Sequence, residues 1–144
     1  MKNKIHKNLN IENLIKTEWF NQFDGYQQEQ INRGLAENLN VFLYAKKEYN
    51  WRQMFQIRCG LAANVDVSIY AKSEYEFDQM AEIRLGLLSK VDVSFYAKKE
   101  FDREQMRQIR LGLEENLDVS IYAKTEFTWK QMREIRLNLY YKKN

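Results

Sequence analysis

Apolar residues recur along the chain at spacings of three and four within segments of about twelve residues. In one such segment Met106, Ile109 and Leu113 share one face of a helix, because about 3.6 residues make one turn. Asp102 precedes this segment and is followed three residues later by Gln105, which is the spacing of a capping box. The same spacing joins Asp24 to Gln27, Asn50 to Gln53 and Thr128 to Gln131. The pattern therefore predicts one amphipathic helix in each segment.

This pattern repeats every 26 residues, which is typical of a tandem-repeat architecture. The repeated glycines are Gly34, Gly60, Gly86 and Gly112, and the repeated tyrosines are Tyr44, Tyr70, Tyr96 and Tyr122. The predicted units are 18–43, 44–69, 70–95, 96–121 and 122–144, which we expect to form one continuous domain over 18–144. An apolar stripe of Ile11, Leu14, Ile15 and Trp19 predicts an N-terminal cap and first short helix, and we assign the capping helix to residues 1–17.

The end of each long helix leads into a short segment with two interpretations. Asn116 tolerates the left-handed conformation found just past a helix, and Leu117 fits a Schellman-type stop. In the next residues Asp118 is placed to cap a short helix, which predicts an all-α fold, a short α-solenoid of about five 26-residue helical hairpins. The alternating pattern of the same segment also fits a strand, which would give a leucine-rich-repeat-like α/β horseshoe. We favour the helix because it gives the recurrent aspartate a structural role.

The glycine inside four of the long helices needs a physical reason, since glycine costs about 1 kcal/mol relative to alanine there. Leu85 and Leu111 directly precede the glycine, and Leu137 holds the same place in the last repeat, where Asn138 replaces the glycine. We expect the leucine side of one helix to pack into the notch that the glycine of the preceding repeat leaves.

Composition narrows the classes of function. The absence of Pro and the presence of only 5 Gly in 144 residues argue against β-sandwiches and barrels. One cysteine, Cys59, and one histidine, His6, cannot form a zinc site; we expect Cys59 in the core and His6 in solvent. The chain has neither a membrane-spanning apolar run nor a secretory pattern at its N-terminus. We therefore expect a cytoplasmic protein that binds no metal or cofactor, and not an enzyme.

Basic residues recur at two positions of the repeat, and we call the residues at equivalent positions of successive repeats a column. Lys46, Lys72, Lys98 and Lys124 form one, and Arg58, Arg84, Arg110 and Arg136 form the other. With the repeated tyrosines nearby, both columns could follow a phosphate backbone. Internal pairing with Asp and Glu explains them equally simply, and we favour it because the net charge is only +3.

The variable columns are the better candidates for a binding surface. Aromatic residues and arginine replace one another at two equivalent positions per repeat, and these residue types dominate binding energy in protein interfaces. The candidate residues are Trp51, Phe55, Phe77, Arg103, Arg107, Trp129 and Arg133. Packing of Trp51 and Trp129 across their own hairpins is the alternative.

The string Gln-Met-x-x-Ile-Arg-Leu-Gly-Leu, with Asp-Val-Ser-x-Tyr-Ala after it, resembles a tandem repeat of uncharacterised proteins carried by bacterial phages and mobile elements. The resemblance covers roughly residues 23–139 and implies a genomic setting rather than a chemistry. It favours a macromolecule-binding protein with a protein or ribonucleoprotein partner, such as an inhibitor of a host defence nuclease, for example a CRISPR effector. RNA or single-stranded DNA binding and a self-assembling structural repeat are the alternatives.

Overall fold

The computed structural model describes residues 3–4 and 11–144. The α-helices of this part of the chain are α1 (Ile11–Leu14), α2 (Glu18–Asn21), α3 (Gly25–Ala36), α4 (Trp51–Ala62), α5 (Phe77–Leu88), α6 (Arg103–Glu114) and α7 (Trp129–Lys143). Short 3₁₀ helices follow four of them, at Val41–Leu43, Val67–Ile69, Val93–Phe95 and Val119–Ile121. The described residues contain no strand beyond an isolated bridge between Lys4 and Leu39. The fold is an all-α repeat of the α-solenoid type, and the strand that the horseshoe alternative requires is absent from these residues.

The predicted capping boxes are confirmed at the start of four long helices. In α6, Asp102 accepts the backbone N–H of Gln105 at 2.8 Å, and the Gln105 side chain accepts the N–H of Asp102 at 2.9 Å. Reciprocal bonds of this kind also begin α3, α4 and α7. Each box satisfies two backbone donors that a helix N-terminus otherwise leaves without partners.

The predicted helix stops are confirmed as well. Asn116 has φ of 59°, in the left-handed region, and Asn38, Asn64 and Lys90 adopt the same conformation in their repeats. The Leu117 N–H then donates to the Gly112 carbonyl at 2.9 Å, and the Asn116 N–H donates to the Leu113 carbonyl at 3.1 Å. These two bonds define a Schellman motif, which turns the chain sharply at the end of α3, α4, α5 and α6.

The short segment after each stop is helical, as the sequence analysis favoured, but it forms only one 3₁₀ turn. Asp118 caps it by accepting the Ser120 N–H at 3.2 Å, and Asp66 and Asp92 do the same at 3.1 Å in their repeats. Each repeat is thus a long α-helix followed by one 3₁₀ turn.

The chain divides into two compact units, Met1–Ser73 and Glu74–Asn144, each with its own packed core. In the first unit α3 packs against α4, and in the second α6 packs against both α5 and α7. A single continuous domain over 18–144 therefore stays a prediction. The capping helix predicted over 1–17 falls partly on residues 1–2 and 5–10, which lie outside the described residues.

The repeated glycines have a different role from the one expected. A Cβ on Gly86 would overlap the hydroxyl of Tyr96 and lie 2.7 Å from Val93 Cγ1. Tyr96 is fully buried, and its hydroxyl donates to the Glu82 carbonyl at 2.7 Å. The expectation that a leucine of the next repeat fills this notch is wrong. The tyrosine of the following 3₁₀ turn fills it, and the same contacts recur at Gly34, Gly60 and Gly112.

Candidate binding surface

The seven candidate residues lie at two equivalent places on the long helices. Trp51, Phe77, Arg103 and Trp129 are the first residues of α4 to α7, and Phe55, Arg107 and Arg133 lie one turn later. We refer to these seven as the first-turn surface. Because residues four apart share a helix face, the two places form one strip on each helix. In the second unit α6 packs against α7, so the pairs Arg103/Arg107 and Trp129/Arg133 belong to neighbouring helices.

The exposure of this surface differs between its residues. Arg103, Arg107 and Arg133 are exposed, and Phe77 keeps 37% of its accessible area. Trp51, Phe55 and Trp129 are half-buried. The aromatic side chains therefore both pack locally and present one side to solvent.

Within the first unit, Trp51 of this surface belongs to an aromatic cluster. The rings of Tyr26 and Trp51 stack with centroids 5.7 Å apart, and the Arg52 guanidinium lies 5.2 Å from the Trp51 ring centroid. Tyr26, from α3, is 66% exposed. The sequence analysis missed Tyr26 because it occupies the second helical position, after Gly25, rather than the first. Trp51 packs on the preceding long helix, which differs from the packing across its own hairpin considered above.

The second unit presents cations at the same positions. Arg103 pairs with Glu104 at 3.0 Å, and the Lys130 ammonium lies 5.7 Å from the Trp129 ring centroid. Within the described residues, no carboxylate lies within salt-bridge distance of Arg107 or Arg133.

The second basic column includes three arginines, Arg58, Arg110 and Arg136, that are paired with carboxylates inside the protein, as the sequence analysis favoured. Arg110 binds Glu82 of the preceding repeat at 2.7 Å and Glu114 of its own helix at 2.7 Å. Arg136 binds the side-chain oxygen of Gln108 at 3.0 Å and Glu115 at 2.7 Å. Arg58 makes the corresponding bonds to Gln30 and Glu37. Since these guanidinium groups already have acceptors, they are structural links between successive repeats.

The favoured interpretation of internal pairing is wrong for the lysine column, because its side chains form no such links within the described residues. Lys46, Lys72, Lys98 and Lys124 are exposed, and no ion pair joins them to a carboxylate within the described residues. In the first unit Lys46 and Lys72 border an open groove of about 330 Å³.

The repeated tyrosines cannot support nucleic-acid binding by base stacking, contrary to the interpretation that placed them beside the basic columns. Tyr44, Tyr70, Tyr96 and Tyr122 are all fully buried. Their hydroxyls donate to backbone carbonyls within hydrogen-bond distance, for example Tyr122 to Gln108 at 2.7 Å. Burial raises the pKa of Tyr44, Tyr96 and Tyr122 well above the ordinary phenol value. These residues belong to the core.

The remaining candidate residues are Cys59 and His6. Cys59 is a free thiol and half-buried rather than in the core, because its column lies at the edge of the buried face. His6 lies outside the described residues. Among residues 3–4 and 11–144, no group of three His, Cys, Asp or Glu side chains could hold a metal ion. None of the helices in this part of the chain has the length and apolar character of a membrane span.

In comparisons with known proteins, no family model matches the sequence, and no similar curated protein or solved structure was found.

Proposed function

We propose that this chain is a non-enzymatic, cytoplasmic binding protein whose first-turn surface contacts a protein partner or a ribonucleoprotein. The observation that carries the proposal is the contrast between the buried, constant tyrosine column and the partly exposed, variable first-turn positions. The column of Tyr96 is fully buried in all four copies, whereas the first-turn positions change from Trp51 to Phe77 to Arg103 on partly exposed helix faces. A repeat needs its core side chains for stacking, but nothing in the stacking requires aromatic residues and arginine at these exposed positions.

The residue types at this surface also support a protein partner. Tryptophan, tyrosine and arginine account for most interface hot spots because they bury large areas with few rotatable bonds or form several hydrogen bonds. The stacked pair of Tyr26 and Trp51 supplies such a rigid, partly exposed anchor. The resemblance to repeats of phages and mobile elements extends the proposal to an inhibitor of a host defence nuclease, such as a CRISPR effector.

A capture experiment tests this proposal. The chain is immobilised and exposed to bacterial lysate, and captured proteins are quantified for the wild type and for a Trp51→Ala/Trp129→Ala variant. We expect a saturable partner that the double variant loses about tenfold or more, since hot-spot truncations cost about 2 kcal/mol or more.

The matched control removes apolar area elsewhere. Ile121 and Tyr141 are 46% and 72% exposed and lie outside the first-turn surface. The Ile121→Ala/Tyr141→Ala variant is expected to capture the same partner as the wild type. Equal capture by all three proteins, or no saturable capture, would contradict the proposal.

Binding of RNA or single-stranded DNA is the second candidate, and one observation favours it: the exposed lysine column, with Lys46 and Lys72 beside an open groove. The arginine column and the tyrosines contribute nothing to it because both are engaged internally. Binding of an oligonucleotide that weakens steeply with salt and is lost in Lys46→Glu/Lys72→Glu would support this candidate. The absence of binding at about 50 mM salt would exclude it.

A further inference from the structure

The second unit concentrates positive charge on one part of the first-turn surface. Arg103 and Arg107 lie on α6, and Lys130 and Arg133 lie on α7, which packs against it. These side chains occupy the first, second and fifth positions of the two helices, and Glu104, the second residue of α6, is the one carboxylate among those positions. We refer to the four cations together with Trp129 as the basic strip. Asp102 directly precedes Arg103 and Glu134 directly follows Arg133, but within the described residues neither carboxylate lies within salt-bridge distance of the four cations.

The charges of the strip are only partly compensated inside the protein. Arg103 pairs with Glu104, but Arg107 and Arg133 have no carboxylate partner within the described residues. Two carboxylates at the C-terminal end of α6, about two turns beyond Arg107, are committed elsewhere. Glu114 and Glu115 bind the internal guanidinium groups of Arg110 and Arg136. The strip therefore presents two guanidinium groups without carboxylate partners in the described residues, and guanidinium groups are suited to bidentate contacts with carboxylates.

The corresponding positions of the other helices are different. α4 carries Trp51, Arg52 and Phe55, and α5 carries Phe77, Asp78 and Ala81. Among these four helices, two cations at these positions thus occur only on α6 and α7, and this difference does not follow from the geometry of the repeat, which all the long helices share.

We propose that the basic strip binds an acidic protein segment that also carries an apolar side chain, which Trp129 contacts. This inference rests on the proposed function and names the chemistry of the partner. Charge complementarity identifies the acidic component, and the partly exposed indole of Trp129, beside the Lys130 ammonium, identifies the apolar one. A protein segment fits better than a nucleic acid, because four clustered cations contact few phosphates and no exposed tyrosine column accompanies them.

The test uses a defined probe and a charge-matched control. The probe is a fluorescein-labelled peptide of alternating glutamate and leucine, and the comparison ligand is an oligothymidylate of equal net charge. Fluorescence anisotropy is measured at about 50 mM salt for the wild type and for Arg107→Glu/Arg133→Glu. The control is Lys16→Glu/Lys142→Glu, which reverses two exposed lysines outside the strip. Far-UV circular dichroism verifies that all three proteins are folded.

We expect the strip variant to bind the peptide at least tenfold more weakly than the wild type, and the control to remain within about twofold. The wild type is expected to prefer the peptide over the oligonucleotide. Equal losses in both variants, no peptide binding by the wild type, or tighter binding of the oligonucleotide would each overturn the inference.

Failure of the inference can be distinguished from failure of the proposed function. The strip variant is also placed in the lysate capture experiment beside Trp51→Ala/Trp129→Ala. If the tryptophan variant loses the captured partner and the strip variant retains it, the proposed function stands and the acidic chemistry of the partner is wrong. If both variants retain it, the proposed function fails.

Discussion

The Tyr96 hydroxyl occupies the space that a β-carbon would need at Gly86. The glycine therefore gives up helix propensity so that the tyrosine of the following 3₁₀ turn can reach the Glu82 carbonyl, 2.7 Å from its hydroxyl. We expect Gly86→Ala to lower the free energy of unfolding by about 2 kcal/mol, because overpacking of about 1–3 kcal/mol and loss of a buried hydrogen bond outweigh the gain in propensity. Urea unfolding measures the change.

Two variants show whether the tyrosine causes this loss. Tyr96→Phe removes the overlapping oxygen, so the double variant Gly86→Ala/Tyr96→Phe is expected to lose less stability than the two single changes added together. Gly25 begins α3 and has open space around its Cβ position, so Gly25→Ala is expected to cost nothing. Strict additivity in the double variant would refute the direct contact.

The glycine column illustrates what could be predicted from the sequence. Its period, its helical setting and the need for a close neighbour all follow from spacing and propensity. The identity of the neighbour does not, because both the leucine column and the tyrosine column recur with the same period. Only the sharp Schellman turn, which brings Tyr96 back over α5, distinguishes them.

A second prediction concerns the glutamine of the capping box. The Gln105 side chain accepts the N–H of Asp102 and also donates to the Phe127 carbonyl at 2.8 Å. Glutamate keeps the first bond but has no hydrogen for the second, so Gln105→Glu is expected to cost about 1–3 kcal/mol near pH 7. Differential scanning calorimetry detects a corresponding fall in Tm.

The matched control for this change is Gln131→Glu. Gln131 makes the same capping box with Thr128, but it is exposed, and its amide has no carbonyl partner within the described residues. We expect Gln131→Glu to change stability by less than about 0.5 kcal/mol. Equal losses at both positions would mean that the cap alone, and not the link to the next repeat, matters.

A third prediction concerns Arg110 and its two carboxylates. Arg110→Ala leaves Glu82 largely buried without its cation, which is expected to cost about 3 kcal/mol. Glu82→Gln is expected to cost less than about 1 kcal/mol, since glutamine already accepts the equivalent arginine bond in the pair Gln108 and Arg136. Urea unfolding of both variants checks the order, and a larger loss in Glu82→Gln would contradict it.

A fourth prediction follows from the buried tyrosines. Burial raises the pKa of Tyr122 above the ordinary phenol value of about 10, so the folded state keeps this proton to higher pH than the unfolded state. The stability it contributes is complete below about pH 10 and falls as the pH rises through the folded-state pKa, by up to about 1.4 kcal/mol per pH unit for each such tyrosine. Urea unfolding between about pH 8 and 11 is expected to show this fall, with a shallower slope in Tyr122→Phe. An identical slope in both proteins would contradict the prediction.

The candidate surface shows the limit of sequence reasoning more clearly than the fold does. Equivalent columns and residue types were sufficient to select Trp51 and Arg107. They could not reveal that Tyr26 stacks on Trp51, because Tyr26 occupies a different column. Nor could they distinguish the paired arginine column from the unpaired lysine column, because pairing depends on distances between side chains in successive repeats.

The most direct test of the central claim maps where a captured partner contacts the chain. Hydrogen exchange of the complex, followed by mass spectrometry, reports protection for each peptide of the chain. The account predicts added protection over residues 51–55, 103–107 and 129–133, with none at the lysine-bearing segments 44–48 and 70–74. Protection confined to the lysine-bearing segments, or none at the first turns of α4, α6 and α7, would contradict it.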